Sequence, residues 1–270
     1  MSEVRLDEIG DWSEKKLDIV DKYIEAYSTI MKKQSFIKEF HYIDAFAGAG
    51  LHISKSSGKI ISGSPLNALN VKHPFDRYHF IDNDVAKTDF LKQKVGKNEK
   101  VRVYTGDCNK ILPNEIFPLI KYEEYKRALC FLDPYGLHLN WEVMHAAGQS
   151  RTIEIFLNFP LMDINRNVLR NNPEKVDKIQ IERMNAFWGD ESWRNISYKT
   201  QQGLFDTYEE KTVHFSLIEA FRKRLNEVAG FAYVPKPIPM RNTKDGIIYY
   251  LFFASPSKTG EKIAKYIFTK

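Results

Sequence analysis

Cysteine is nearly absent from this chain, with Cys108 and Cys130 its two representatives. Two thiols cannot build a disulfide framework, nor alone a thiolate zinc site. Each stands in an apolar, strand-like context, so the expected role is a small buried side chain. Long apolar runs are missing too: no stretch of about 18 such residues could cross a bilayer as a helix. The opening "MSEVRLDEIGDW" has no apolar h-region of a secretory signal, so the expectation is a cytoplasmic protein with no membrane partner. The "NIS" at Asn195 then has no route to a glycan. The seven histidines form no His-Glu-x-x-His, and no acid stands at ligand spacing from them, which argues against a metal hydrolase. There is no Gly-x-Ser-x-Gly and no cysteine in an activated setting, so nucleophilic catalysis lacks a candidate. Internal repeats and low-complexity tracts are absent as well.

What is present is ordinary in bulk and specific in places. At 270 residues, with 43% apolar and 28% charged content, the chain can bury a sizeable core without staples. A net charge of +5 suits a polyanionic partner without demanding one. Basic residues gather between 151 and 199, as Arg151, Arg166, Arg170, Lys175, Lys178, Arg183, Arg194 and Lys199. Phe187, Trp188, Trp193 and Tyr198 lie among them. Two readings fit: a solvated helical face beside core aromatics, or a surface for RNA or DNA.

Along the chain, residues 12–33 read as a helix with the apolar stripe Leu17, Val20, Ile24, Tyr27 and Met31. Compact apolar strands follow: "FHYIDAF", "RYHFID", "VRVYTG", "ALCFLD" and "IEIFLNF". Segments of helical length, 64–72, 85–95, 109–121 and 138–149, separate them. Such alternation predicts a doubly wound, mostly parallel α/β sheet covered on both faces. Residues 161–207 read as a helical, basic insertion into a single domain spanning 1–270. A helix over about 209–229 and two late strands, "FAYVPKPIPM" and "GIIYYLFFAS", joined through "NTKDG", predict a C-terminal antiparallel hairpin strand at the edge of the sheet.

Ligands of open parallel sheets bind outside the carboxyl ends of the strands. The first strand ends in Asp44-Ala-Phe46-Ala-Gly48-Ala-Gly50, a turn that brings backbone close to a ligand. A dinucleotide fingerprint needs a third small residue where Ile53 stands, and a helix opening at once instead of near Ser64, so NAD is disfavoured. Neither "SSGKII" nor "SKTGEK" has the order of a phosphate loop. The second strand ends in "FIDND", where Asp82 suits vicinal ribose hydroxyls and Asp84 suits a helix cap. In "YTGDCN", Asp107 is either a purine-amine acceptor or a cap for the next helix. The fourth strand ends in "LDPYG", where Asp133, Pro134 and Tyr135 suit capture of a planar amino group, or form a plain turn.

Taken together, a glycine turn, ribose acid, adenine acid and Asp-Pro-aromatic on consecutive strands look like the cofactor site of class I S-adenosylmethionine-dependent methyltransferases. "FAGAG" resembles the glycine motif of nucleic-acid base methyltransferases, and "DPYG" their Asp/Asn-Pro-Pro-aromatic motif with Tyr135 replacing the second proline. More closely, "YIDAFAGAG", "GSPLNAL", "FIDND", "GDCN", "FLDPYGLHLNW" and "YYLFFASPSKTG" resemble the three-Cys-motif partner family, TcmP, over about residues 42–259. The resemblance implies a Rossmann-like methyltransferase fold and a link to a separate protein with a three-cysteine motif.

On this reading Asp44, Phe46, Gly48 and Gly50 wrap the methionine and ribose parts of S-adenosylmethionine, with Asp44 near its amino group. Asp82 holds the ribose, and Asp107 with Cys108 the adenine. Asp133, Pro134 and Tyr135 face the methyl acceptor, while His138 and Trp141 either line the same pocket or serve as plain helix packing, the favoured reading. The expected activity is methylation of an amino nitrogen of a nucleic-acid base. Methylation of a three-cysteine-motif partner, or a non-catalytic cofactor-binding scaffold, are the alternatives.

Overall fold

The computed structural model describes residues 4–170, 173–202, 207–211 and 214–269. Its centre is a seven-stranded sheet: β1 (Glu39–Asp44), β2 (Arg77–Asp82), β3 (Val101–Thr105), β4 (Lys126–Leu132), β5 (Ile153–Phe159), β6 (Ile238–Arg241) and β7 (Ile247–Ala254). The order is β6-β7-β5-β4-β1-β2-β3. Strands β1 to β5 run parallel, and β7 runs antiparallel to both its neighbours. The α/β class expected from alternation is the one found.

The antiparallel strand lies inside the sheet, not at its edge as the hairpin suggested. Proline decides this. Pro235 and Pro237 shorten the first arm to Ile238–Arg241, and Pro239 within it has no N–H to offer a second neighbour. That arm takes the edge, and β7, free of proline, is paired on both sides.

Parallel strands covered on both faces carry near-continuous apolar runs, and β5 is buried at all seven positions. Alternate residues separate into two cores. Ile43, Ile81, Cys130, Leu132, Ile155 and Leu157 form an aliphatic face. Tyr42, Phe80, Phe131, Phe156 and Phe253 form an aromatic one. Helices α1 (Asp11–Lys33), α2 (Ser64–Leu69), α3 (Val85–Val95) and, from the C-terminal end, α10 (Lys258–Phe268) cover the aromatic face. The aliphatic face is covered by α4 (Cys108–Ile111), α5 (Trp141–Ser150), α6 (Leu161–Asp163), α7 (Lys178–Trp188), α8 (Trp193–Ser197) and α9 (His214–Glu227). The segment read as helix 109–121 is broken after one turn of α4, because Pro113 and Pro118 cannot continue the hydrogen-bond ladder.

Two small sheets were not legible as such. Asp7–Ile9 pairs in parallel with Leu51–Ser54, which forms a hairpin with Ile60–Ser62. Tyr198–Gln202 pairs antiparallel with Thr207–Lys211, where the sequence read as helical. The helix expected from about 209 begins at His214. Within these ranges 171–172, 203–206 and 212–213 lie outside the described residues. The aromatics between 187 and 198 are core: Phe187, Trp188, Trp193 and Tyr198 are all buried. Phe187 stacks on Phe221 at 5.4 Å, so the first of the two readings of this segment holds for its rings.

Candidate functional site

The carboxyl end of the sheet is organised by the loop after β1. Gly48 (φ +57°) and Gly50 (φ +74°) both take left-handed backbone. At Gly50 a Cβ would come within 2.8 Å of Leu91 Cδ1, a contact that adds to the conformational demand for glycine. At Gly48 nothing lies within 4 Å of that position, which leaves open space beside the backbone. The Gly48 N–H donates to Asp82 Oδ2 at 2.8 Å. The other oxygen of Asp82 accepts the Asp84 N–H at 2.9 Å.

Two of the acids cap helices. Asp84 caps α3, accepting the Lys87 N–H at 3.1 Å. Asp107 caps α4 through Oδ1, accepting the Asn109 N–H at 2.9 Å. Asn109 also bonds the His138 carbonyl at 2.9 Å and accepts the Asn140 N–H at 2.7 Å. It thereby ties the end of β3 to the loop after β4.

A cavity of about 470 Å³ opens here, lined by Ala45, Phe46, Asp82, Asp107, Cys108 and Tyr135, with His138 at its rim. Burial and the neighbouring Asp107 push the Cys108 thiol up to about 12, so it is an apolar wall and not a nucleophile. A second cavity, of about 270 Å³, holds Lys16, Gly48, Asp133, Pro134 and Asn158 and shares Phe46 and Tyr135 with the first. His138 therefore stands at the site, whereas Trp141 is buried against Phe221 and the Arg224 guanidinium.

Three arrangements here have no local sequence signal. First, buried Lys16 of α1 forms an ion pair with Asp133, which also accepts from Asn158 Nδ2 at 2.9 Å. The Lys16 ammonium sits 5.6 Å from the centre of Phe131 and 5.4 Å from that of Tyr249. Second, Asp7 reaches across the cleft from the small N-terminal strand. It accepts from Lys87 Nζ at 2.6 Å and from the Tyr135 hydroxyl at 3.0 Å. Third, Asp44 lines neither cavity. It is fully buried behind the loop and accepts from Ser64 Oγ at 2.6 Å and from the Phe46 N–H at 3.3 Å. Burial pushes its pKa up to about 7. Gly50 likewise lies behind the lining residues. The expected contact of Asp44 with a ligand amino group is thus replaced by a contact with Ser64, whose side chain borders the smaller cavity.

Among the described residues no cluster of three potential metal ligands occurs. Nor, among them, is any helix long and apolar enough to cross a membrane. No family model matches the chain, and no curated protein does. The crystal structure of protein LPL1258 from Legionella pneumophila aligns with a TM-score of 0.53 at 14% identity, covering 94% of this chain and 90% of that one. Together with the strand order, this decides the architecture. The chain has an α/β fold built on a mostly parallel seven-stranded sheet. Two further solved structures align more distantly. They are the methyltransferase domain of METTL16 (TM-score 0.42, 12% identity, 87% of this chain and 67% of that one) and magnesium protoporphyrin IX methyltransferase from Synechocystis PCC 6803 with bound SAM (0.39, 11%, 94% and 85%). At these identities likeness speaks to fold alone, and no statement about activity rests on it.

Proposed function

We propose that this chain is an S-adenosylmethionine-dependent methyltransferase. The observation that carries the reading is the pair of adjoining cavities at the carboxyl end of the sheet, joined at Phe46 and Tyr135. The residues present suit the cofactor. Gly48 leaves room beside its backbone, and Asp82 keeps acceptor directions beyond the two it uses, enough for vicinal hydroxyls. The second oxygen of Asp107 stands ready for an exocyclic amine, and Phe46 and Cys108 offer flat apolar contact. Asp44 acts in this scheme as a positioning residue that holds Ser64 and the loop.

The cofactor supplies an electrophilic methyl group on a sulfonium. An acceptor nitrogen that took this group would have to give up an N–H proton in exchange, and Asp133, which lines the smaller cavity, would hold that N–H. The protein's contribution is positioning, which can supply on the order of 7–11 kcal/mol in favourable cases. In the smaller cavity Asp133 accepts an N–H of the incoming amine, and Tyr135, 72% exposed, offers a ring face for a planar acceptor.

An amino nitrogen of a nucleic-acid base is the acceptor that suits these two groups. Met162 and Asp163, at the start of the insertion, line the same cavity. Exposed Arg166, Arg170 and Lys178 continue from there and suit a phosphate backbone. Calorimetry with S-adenosylmethionine tests the cofactor, and no binding would remove the enzymatic reading and leave a scaffold. Mass spectrometry of RNA and DNA from cells with and without the protein tests the acceptor. No methylated-base difference, with label instead entering a three-cysteine-motif protein, would replace the base by a protein side chain.

A further inference from the structure

At the opposite, amino end of the strands lies a cavity of about 420 Å³ that the methyl-transfer reading does not use. Its apolar wall comes from the far end of α1 and the chain just beyond, with Ile30, Met31, Phe36 and Ile37, and from Ile263 of α10. Its charged donors are two arginines. Arg127 and Arg151 flank the Tyr122 ring, with guanidinium carbons 4.8 and 5.7 Å from its centre. Among the described residues neither pairs with a carboxylate; Arg127 donates to the Lys126 carbonyl at 2.7 Å. Arg151 holds a left-handed backbone (φ +55°) at the C-cap of α5, where glycine is the unstrained choice.

Two further features face the same space. The first turn of the eleven-residue α10 borders it through Ser257, Thr259 and Gly260. Ser257 accepts from Gly260 and Glu261, leaving the N–H groups of Lys258 and Thr259 without partners inside the helix. Tyr27 lines the cavity, and its fully buried hydroxyl has no hydrogen-bond partner among the described residues. A buried donor left unmet costs about 1–3 kcal/mol unless something meets it. Glu154 also borders the space, but its oxygens already accept from Tyr23 (2.5 Å) and Ser255 (2.9 Å). Burial lifts its pKa to about 7, which weakens any repulsion of an anion near neutral pH.

We propose that this cavity is a second binding site, for an apolar molecule carrying one carboxylate or phosphate. The head group lies between Arg127, Arg151 and the start of α10, with the Tyr27 hydroxyl donating to it, and the apolar body lies along Ile30, Met31 and Ile263. Because α1 runs from Lys16 at the cofactor cleft to Tyr27 and Met31 here, the two sites share a helix but no lining residue.

Calorimetry of the full chain with octyl phosphate, octanoate and 1-octanol tests this. At least one of the two anions should bind about tenfold or more tightly than octanol, and whichever binds better identifies the head group. Arg127→Gln and Arg151→Gln should each weaken that anion about tenfold. Tyr27→Phe should weaken it several-fold without lowering the melting temperature, since its hydroxyl has no protein partner to lose. Arg151 is exposed, so its variant stays informative should Arg127→Gln fold poorly. Asp82→Ala should leave the anion's affinity unchanged. Equal affinity for octanol, no anion binding at millimolar concentration, indifference to Arg151→Gln, or loss on Asp82→Ala would each overturn the proposal. The last would place the anion in the cofactor cleft.

Discussion

Asp82 accepts the Gly48 N–H with one oxygen and the Asp84 N–H with the other, yet a carboxylate offers about four acceptor directions. Removing it deletes both the proposed ribose acceptor and the anchor of the glycine loop. Asp82→Ala should weaken S-adenosylmethionine by about 1.5–3 kcal/mol, roughly ten- to hundredfold, in a calorimetric titration. An unchanged affinity would take Asp82 out of the cofactor site. Lys16 poses a different residue-scale question. It is 5% exposed and faces Asp133, so Lys16→Met leaves a partly buried carboxylate with Asn158 as its remaining partner. Breaking a fully buried pair costs about 3–5 kcal/mol; with the Asp133 side chain 24% exposed, about 2–3 kcal/mol is expected from denaturant melts. Adding Asp133→Leu should restore most of that stability while abolishing transfer. If the double variant is no more stable than Lys16→Met, the pair is not what holds α1 to the sheet. Asp133 was legible in the sequence because its neighbours Pro134 and Tyr135 form a recognisable string. Lys16 was not, because its partner lies 117 positions away and nothing near Lys16 hints at a carboxylate.

Among the elements, α5 shows how closely the aliphatic layer is packed. A Cβ at Gly148 would stand 2.1 Å from the carbonyl oxygen of Ala229, a contact with backbone that cannot swing aside. Helix propensity favours Gly148→Ala by about 1 kcal/mol, but the overlap should outweigh it and leave a net loss of about 1–3 kcal/mol. Thermal melting decides the sign, and a stabilised variant would mean that the loop at Ala229 yields freely. The strands made of unbroken apolar runs were readable because burial sets them, whereas the break that Pro113 and Pro118 impose on the 109–121 segment was passed over in favour of its helical length. The pairing of Asp7–Ile9 with Leu51–Ser54 was not: a three-residue strand has no periodicity of its own and forms because the hairpin presents an open edge.

The whole molecule sums opposing titrations. Burial pushes Asp21, Asp44 and Glu154 up to about 7, and pushes His41 and His79 down to about 4 and about 3. Each such carboxyl holds a proton in the native state that the unfolded chain releases above about pH 4, so each makes stability fall as pH rises from about 4 to about 7. The imidazoles act the other way. The unfolded chain protonates them below about pH 6.5 while the native state does not, so they make stability fall as pH drops. Glu154→Gln removes one carboxyl from this sum. Relative to that variant, the wild type should lose stability between about pH 4.5 and 7, with a slope of at most about 1.4 kcal/mol per pH unit. Urea melts at both pH values measure it, and an unchanged difference would mean that Glu154 titrates normally.

At this scale the division between sequence and structure is physical. By itself the sequence determined the alternation of strands and helices, the two-sided burial of the sheet and the order of acids along its carboxyl end. Those follow from periodicity and turn chemistry, which act over a few residues. Tertiary structure alone decided that Asp44 turns inward to Ser64, that Lys16 meets Asp133, and that Arg127, Arg151 and Tyr27 converge at the far end. Each of these joins groups distant in sequence whose contact depends on how whole layers pack, and no local pattern encodes that distance.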